Sequence, residues 1–121
     1  MSSSDKVQHI SLSAAARRGP SPPGNLAIPI FSSGTLVVEL YEPKGVDTQK
    51  PHARDEVYIV ARGRGCFLDG EERHAVDVGS FIFVPAGQPH RFEELTEDFA
   101  VWVFFYGHER GQPVDDPADS R

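Results

Sequence analysis

Three side chains of this chain could do chemistry together: His52, Glu56 and His90. Two imidazoles and one carboxylate are a common ligand set for a divalent transition metal. His52 and Glu56 stand an even number of positions apart in QKPHARDEVYIVARGRG, Gln49 to Gly65. In a β-strand such residues share one face, so His52, Arg54 and Glu56 point the same way, and Tyr58 and Val60 continue that face. His90 comes from a second stretch, GSFIFVPAGQPHRFEE, Gly79 to Glu94, where it follows another apolar run. The expectation is that two strands bring His52, Glu56 and His90 around one ion.

The other polar residues read more plainly. Arg54 is a solvated rim arginine paired with Glu or Asp, or else a two-pronged clamp for the carboxylate of a small ligand. His74 and His108 are rim residues, and His9 lies on the surface of an N-terminal arm. Tyr58, Phe83, Phe92 and Trp102 line either a pocket or the core. Glu93, Glu94, Glu97 and Asp98 form a solvated loop. Gly63 and Gly65 are turn residues, because the pattern lacks the strand-to-helix context of a phosphate loop. No nucleophile stands beside a base.

The elements that must position the triad are short strands. Leu26 to Phe31 reads as a strand, with Pro29 favouring a sheet edge. Thr35 to Tyr41, Ala53 to Ala61, Gly63 to Leu68, Arg73 to Val76, Phe81 to Val84, His90 to Phe92 and Phe99 to Tyr106 follow, rich in β-branched and aromatic residues. Asp69-Gly70 marks a two-residue hairpin. Before them, Val7 to Arg18 fits one short helix or an arm, with Ser11 or Ser13 as caps. Gly19 to Gly24, GPSPPG, is a linker. Many short strands with turns at close intervals predict a sandwich or barrel.

Both stretches resemble the signature motifs of the cupin family. His52, three residues, Glu56, six residues and Gly63 match the second half of the first motif. Gly79, Pro85, Gly87 and His90 match the second motif, with Glu94 where Asn is usual. Lys50 stands where the first motif expects a histidine, and Gly45 sits one residue closer than usual. The resemblance runs from Ser33 to Gly107. It implies an all-β fold: a single-domain cupin β-barrel, a jelly-roll-like double-stranded β-helix, with a short N-terminal arm or helix. Residues 1–24 would be arm and linker, 25–107 the barrel and 108–121 a disordered acidic tail.

The resemblance also implies a divalent transition metal (Fe, Mn, Ni or Zn) on His52, Glu56 and His90. A protonated lysine is no ligand and repels a cation. Gln49 offers a neutral carbonyl oxygen, so it is the expected fourth ligand, with Lys50 turned to solvent. The family includes dioxygenases, isomerases, decarboxylases, sugar-binding proteins and non-enzymatic modules, so fold alone does not settle function. The expected function is a metal-dependent, oxygenase-like enzyme acting on a small molecule. The alternative is a binding or sensor module without turnover.

Composition narrows the partners. The chain has 121 residues, a formal net charge of -6 and a pI of about 5.2. Such an acidic surface is repelled by phosphate backbones, which argues against nucleic acid. No apolar run reaches the length of a membrane span, and no secretory h-region is visible. One cysteine, Cys66, excludes an intrachain disulfide and fits a reducing compartment such as the cytoplasm. Phe81 to Val84 and Ala100 to Tyr106 are apolar on both faces, where a half-solvated sheet would alternate. Something must cover the outer face. The N-terminal arm is short, so the expectation is a second copy of the chain in a homodimer.

Overall fold

Runs of Val, Ile, Phe and Tyr too short for helices, each closed by Gly, Pro or Asp, leave this chain little choice but strands. The computed structural model describes residues 6–19, 27–43 and 51–109. They form β1 (Ala27–Ser33), β2 (Leu36–Tyr41), β3 (Asp55–Arg62), β4 (Arg64–Asp69), β5 (Glu72–Asp77), β6 (Phe81–Val84), β7 (His90–Glu93) and β8 (Ala100–Tyr106). One helix, α1 (Leu12–Ala16), precedes them. A five-stranded sheet runs β1-β2-β8-β3-β6 and a three-stranded sheet runs β5-β4-β7. Pairing is antiparallel throughout.

The core lies between the two sheets. Tyr41, Tyr58, Val60, Val101 and Val103 of the larger sheet meet Phe67, Val76 and Phe92 of the smaller one. Burying each such side chain contributes about 1.5–3 kcal/mol before chain entropy is subtracted. Register fixes which residues face inward. Val37, Phe105, Glu56 and Val84 form one row across β2, β8, β3 and β6. Glu39, Val103, Tyr58 and Ile82 form the next. Two carboxylates therefore sit among apolar residues on the inner face.

The outer face is covered in part. Ser11 caps α1, its hydroxyl accepting from the Ala14 N–H. Ala15 of the helix packs with Ile28, Ile30, Leu40 and Ala100, and Ile10, Leu12 and Trp102 close around them. The arm thus does more covering than its length suggested. Towards β6 the cover ends, and Phe81 and Phe83 are 65% and 47% exposed. Phe83 and Trp102 lie on this outer side, so neither lines the barrel interior. Cys66 is buried, as a small core residue should be.

Two local expectations need correction. The β4–β5 hairpin pairs Asp69 with Glu72, so its loop is Gly70-Glu71 rather than Asp69-Gly70. Gly70 has φ +62° and Glu71 is not left-handed, which is a Gly-X turn of the II′ kind. Strand β3 begins at Asp55, not Ala53. The proposed linker beyond Gly19 and the acidic tail from residue 110 lie outside the described residues.

Candidate metal centre

The start of β3 is organised by the turn before β7. The Ala86 N–H donates to Asp55 Oδ1 at 2.9 Å, and the Gly87 N–H donates to the His52 carbonyl at 2.7 Å. The Gly87 N–H thus takes up the His52 carbonyl ahead of the strand, and the Ala86 N–H holds the Asp55 side chain where β3 begins. This pinning draws the His52 segment and the His90 segment together. Strand parity is consequently not what aims His52. Its ring packs on Phe105 with centroids 4.8 Å apart, in the same inner row as Glu56.

The three expected side chains converge. His52, Glu56 and His90 each bring a donor atom within 4.8 Å of the others. His90 Nε2 lies 3.2 Å from Glu56 Oε1, and both side chains are almost fully buried. Ligand atoms bound to one ion at about 2.0–2.2 Å, at right angles to tetrahedral angles, stand roughly 3.0–3.5 Å apart. The observed separation suits that geometry. His90 Nδ1 is 2.8 Å from the Gln88 carbonyl, which can only accept, so Nδ1 carries the proton. That leaves Nε2 as the ring atom directed at the site, with the Tyr58 hydroxyl 3.0 Å away.

One oxygen tests whether these residues suit a metal. Glu56 Oε2 is buried and has no hydrogen-bond partner. An ionised carboxylate left so is costly, and a cation held by both imidazoles and the carboxylate would relieve it. The donor set and this orphaned oxygen both fit a divalent transition ion.

Arg54 does not join the cluster. Its Nη1 donates to the Thr35 carbonyl at 2.6 Å, tying the β1–β2 turn to the approach of β3. Because Arg54 precedes the strand, the parity argument fails for it, and its partner is a backbone carbonyl rather than Glu or Asp. Gln49, Lys50 and Gly45 lie outside the described residues. His74 and His108 are exposed, as expected. Glu93 belongs to β7, not to a loop: hydrogen bonds from Arg91 and then Arg73 hold its carboxyl below the usual range.

Glu39 and Asp55 are the site's unforeseen polar groups; the Tyr58 hydroxyl joins the site from the face expected for it. Glu39 is half-buried, and burial first, then the neighbouring Glu56 carboxylate, push its carboxyl above the usual range. Its signal was available: it is the lone acid in LVVELY, and it shares parity with the buried Tyr41.

Residues 37–106 match the family model for the cupin domain. The chain belongs to the cupin family. Among curated proteins this cupin is similar to the uncharacterized protein SCO3923 of Streptomyces coelicolor, 49% identical over 59 residues, or 49% of this chain. It spans 56% of that relative's length. Among solved structures it is similar to a protein of unknown function from Rhizobium leguminosarum, at 21% identity and a TM-score of 0.68, covering 85% of this chain and 99% of that one. It is also similar to the DMSP lyase DddQ of Ruegeria pomeroyi, at 25% identity and a TM-score of 0.53, covering 74% of this chain and 47% of that one. No helix among the described residues is long and apolar enough to cross a membrane.

Proposed function

We propose that this cupin binds one divalent transition metal through His52, Glu56 and His90 and acts on a small molecule as a metal-dependent, oxygenase-like enzyme. The observation that carries the reading is the buried, unpartnered Glu56 Oε2 beside two imidazoles. Iron, manganese, nickel and zinc all suit this donor set; when bound, such an ion supplies Lewis acidity and, for iron or manganese, redox exchange. The chain's own part is to hold the Nδ1 proton of His90 on the Gln88 carbonyl and to place the Tyr58 hydroxyl against Nε2. Gln49 stays the proposed fourth ligand: Gln49→Ala should weaken metal binding, while Lys50→Ala should leave it intact.

Elemental analysis of protein purified without chelator, followed by oxygen-uptake screening against small polar and aromatic compounds, tests the proposal. Near-stoichiometric metal with oxygen consumption supports it. Metal-free protein that takes up no added Mn2+, Fe2+ or Zn2+ would overturn it.

A second reading is a non-redox lyase or isomerase, favoured by the likeness to the DMSP lyase. Such an enzyme would bind metal and turn over substrate without consuming oxygen. A binding or sensor module would do neither chemistry. We further propose a homodimer, supported by the exposed Phe81 and Phe83 at the uncovered end of the outer face. A solution mass of 13.3 kDa, that of one chain, would rule it out. The single cysteine and acidic surface support a cytoplasmic setting.

A further inference from the structure

Glu39 has no place in the ligand set. It belongs to neither group of clustered donor atoms among the described residues. Yet the register puts it on the inner face, beside Val103 and across it from Tyr58, whose hydroxyl touches His90 Nε2. Its row neighbours are apolar, and Tyr41, two residues along β2, is buried in the core. Among the described residues no arginine, lysine or histidine pairs with its carboxyl, although such ion pairs are formed elsewhere by Glu42, Glu93 and Glu94. After burial, the like-charged Glu56 carboxylate adds to what holds the Glu39 carboxyl above the usual range. A half-buried carboxyl facing an apolar interior and another acid is a poor structural choice. An apolar side chain would fill this wall better, as Val37 does two residues earlier on the same face.

We propose that Glu39 determines which ligand the barrel accepts: its carboxyl binds an O–H or N–H donor of a small molecule whose other end reaches the His52–Glu56–His90 centre. This deepens the reading of that centre as a small-molecule site and depends on it. Strands lie about 4.8 Å apart, so Glu39 and Tyr58, on one inner face, are separated at the backbone by roughly 10 Å. That span suits a small molecule rather than a polymer. The carboxyl selects by what it leaves unpaired. A ligand that lacks the donor buries an unsatisfied acid, and a site built to bond a hydroxyl rejects analogues without one.

The test compares catechol with 1,2-dimethoxybenzene, which keeps the ring and removes both O–H donors. Binding of each is measured by calorimetry to wild type, Glu39→Leu and Glu39→Gln, once with Mn2+ loaded and once after chelator treatment. Mn2+ affinity is measured in parallel. The expected result is a wild-type preference for catechol that falls about tenfold in Glu39→Leu and is partly kept in Glu39→Gln, with Mn2+ affinity unchanged. An equal preference in wild type and Glu39→Leu, or no catechol binding in either form of the wild type, overturns the inference. Failure of the wild type to bind Mn2+ would instead sink the metal assignment. In that case the chelator-treated measurements still decide the role of Glu39. Retained folding of the Gln variant guards against a Leu variant lost to misfolding.

Discussion

Two groups of side chains in this molecule have almost the same composition and opposite surroundings. His52, Glu56 and His90 sit inside the barrel, and Asp69, Glu72 and His74 sit at the β4–β5 hairpin; each group has donor atoms within 4.8 Å of one another. In the hairpin group the Glu72 and His74 side chains are 78% and 50% exposed and stand 3.8 Å apart. Asp69 already gives an oxygen to Gln88 Nε2 at 2.7 Å. Water solvates those groups well, and an ion would have to displace it for little gain. In the barrel, folding has already stripped the water from Glu56, and one of its oxygens has nothing in exchange. Proximity of the right residue types is therefore not the distinguishing feature of a metal centre. Desolvation that leaves a charge uncompensated is.

The strongest way to break this comparison is to remove one member from each group. Outer-shell losses alone cost about 10–100-fold in metal affinity, so His52→Ala, a loss of a ligand, should cost about 100-fold or more. His74→Ala should change nothing. Titration with Mn2+ or Zn2+ checks both, and equal losses in the two variants would erase the distinction between the groups.

Next comes an effect of opposite sign on stability. In chelator-treated protein Glu56→Gln replaces an uncompensated acid with an amide that can donate to His90 Nε2. Denaturant midpoints should then rise, by about 1–3 kcal/mol of unfolding free energy. Added metal should stabilise wild type and no longer stabilise this variant. A variant less stable than wild type without metal would mean that the Glu56 carboxylate is adequately paired in the barrel.

Asp55 sharpens the comparison by testing what holds the buried group in place. Its Oδ1 accepts the Ala86 N–H. Asp55→Ala frees the turn that anchors the His52 carbonyl, and should weaken metal binding about tenfold while leaving the ligands themselves present. An unchanged metal affinity would show that the Gly87–His52 bond suffices alone.

Much of this arrangement could be read before any coordinates. The order of the eight strands and the spacing within each half of the site were visible in the chain, while strand ends moved by one or two residues, as where β4 runs on to Asp69 and β3 starts at Asp55. What escaped was non-local. The beginning of β3 depends on hydrogen bonds from residues 86 and 87, which no local propensity encodes. Arg54 was assigned a face by parity in a strand that had not yet begun. Parity puts Glu39 on the face of Tyr41, but its place near Glu56 follows only from the pairing of both strands with β8. The covering of the outer face was underestimated because α1 is only five residues long, and its reach comes from Ile10 as well as from the helix.

The smallest expected effect concerns Glu39 and the pH dependence of stability, and it asks whether the barrel interior treats a second acid as it treats Glu56. Burial, then the Glu56 charge, raise the Glu39 carboxyl above its ordinary value of 4.5. Between that value and the raised one, the folded protein holds a proton that the unfolded chain releases. Stability must therefore fall as pH rises through this window, and it levels off above the folded value. Glu39→Gln cannot titrate, so the difference between wild type and variant isolates this slope. With chelator present, wild-type stability should decline relative to Glu39→Gln from below pH 4.5 upward until the raised value is passed. A cation at the centre offsets the charge of Glu56 and favours the ionised form of Glu39, so metal should shift the decline to lower pH and reduce it. Urea midpoints across the pH range, with and without Mn2+, provide the measurement. A wild-type-minus-variant difference that is flat without metal, or that steepens when Mn2+ is added, would place Glu39 outside the field of the buried cluster.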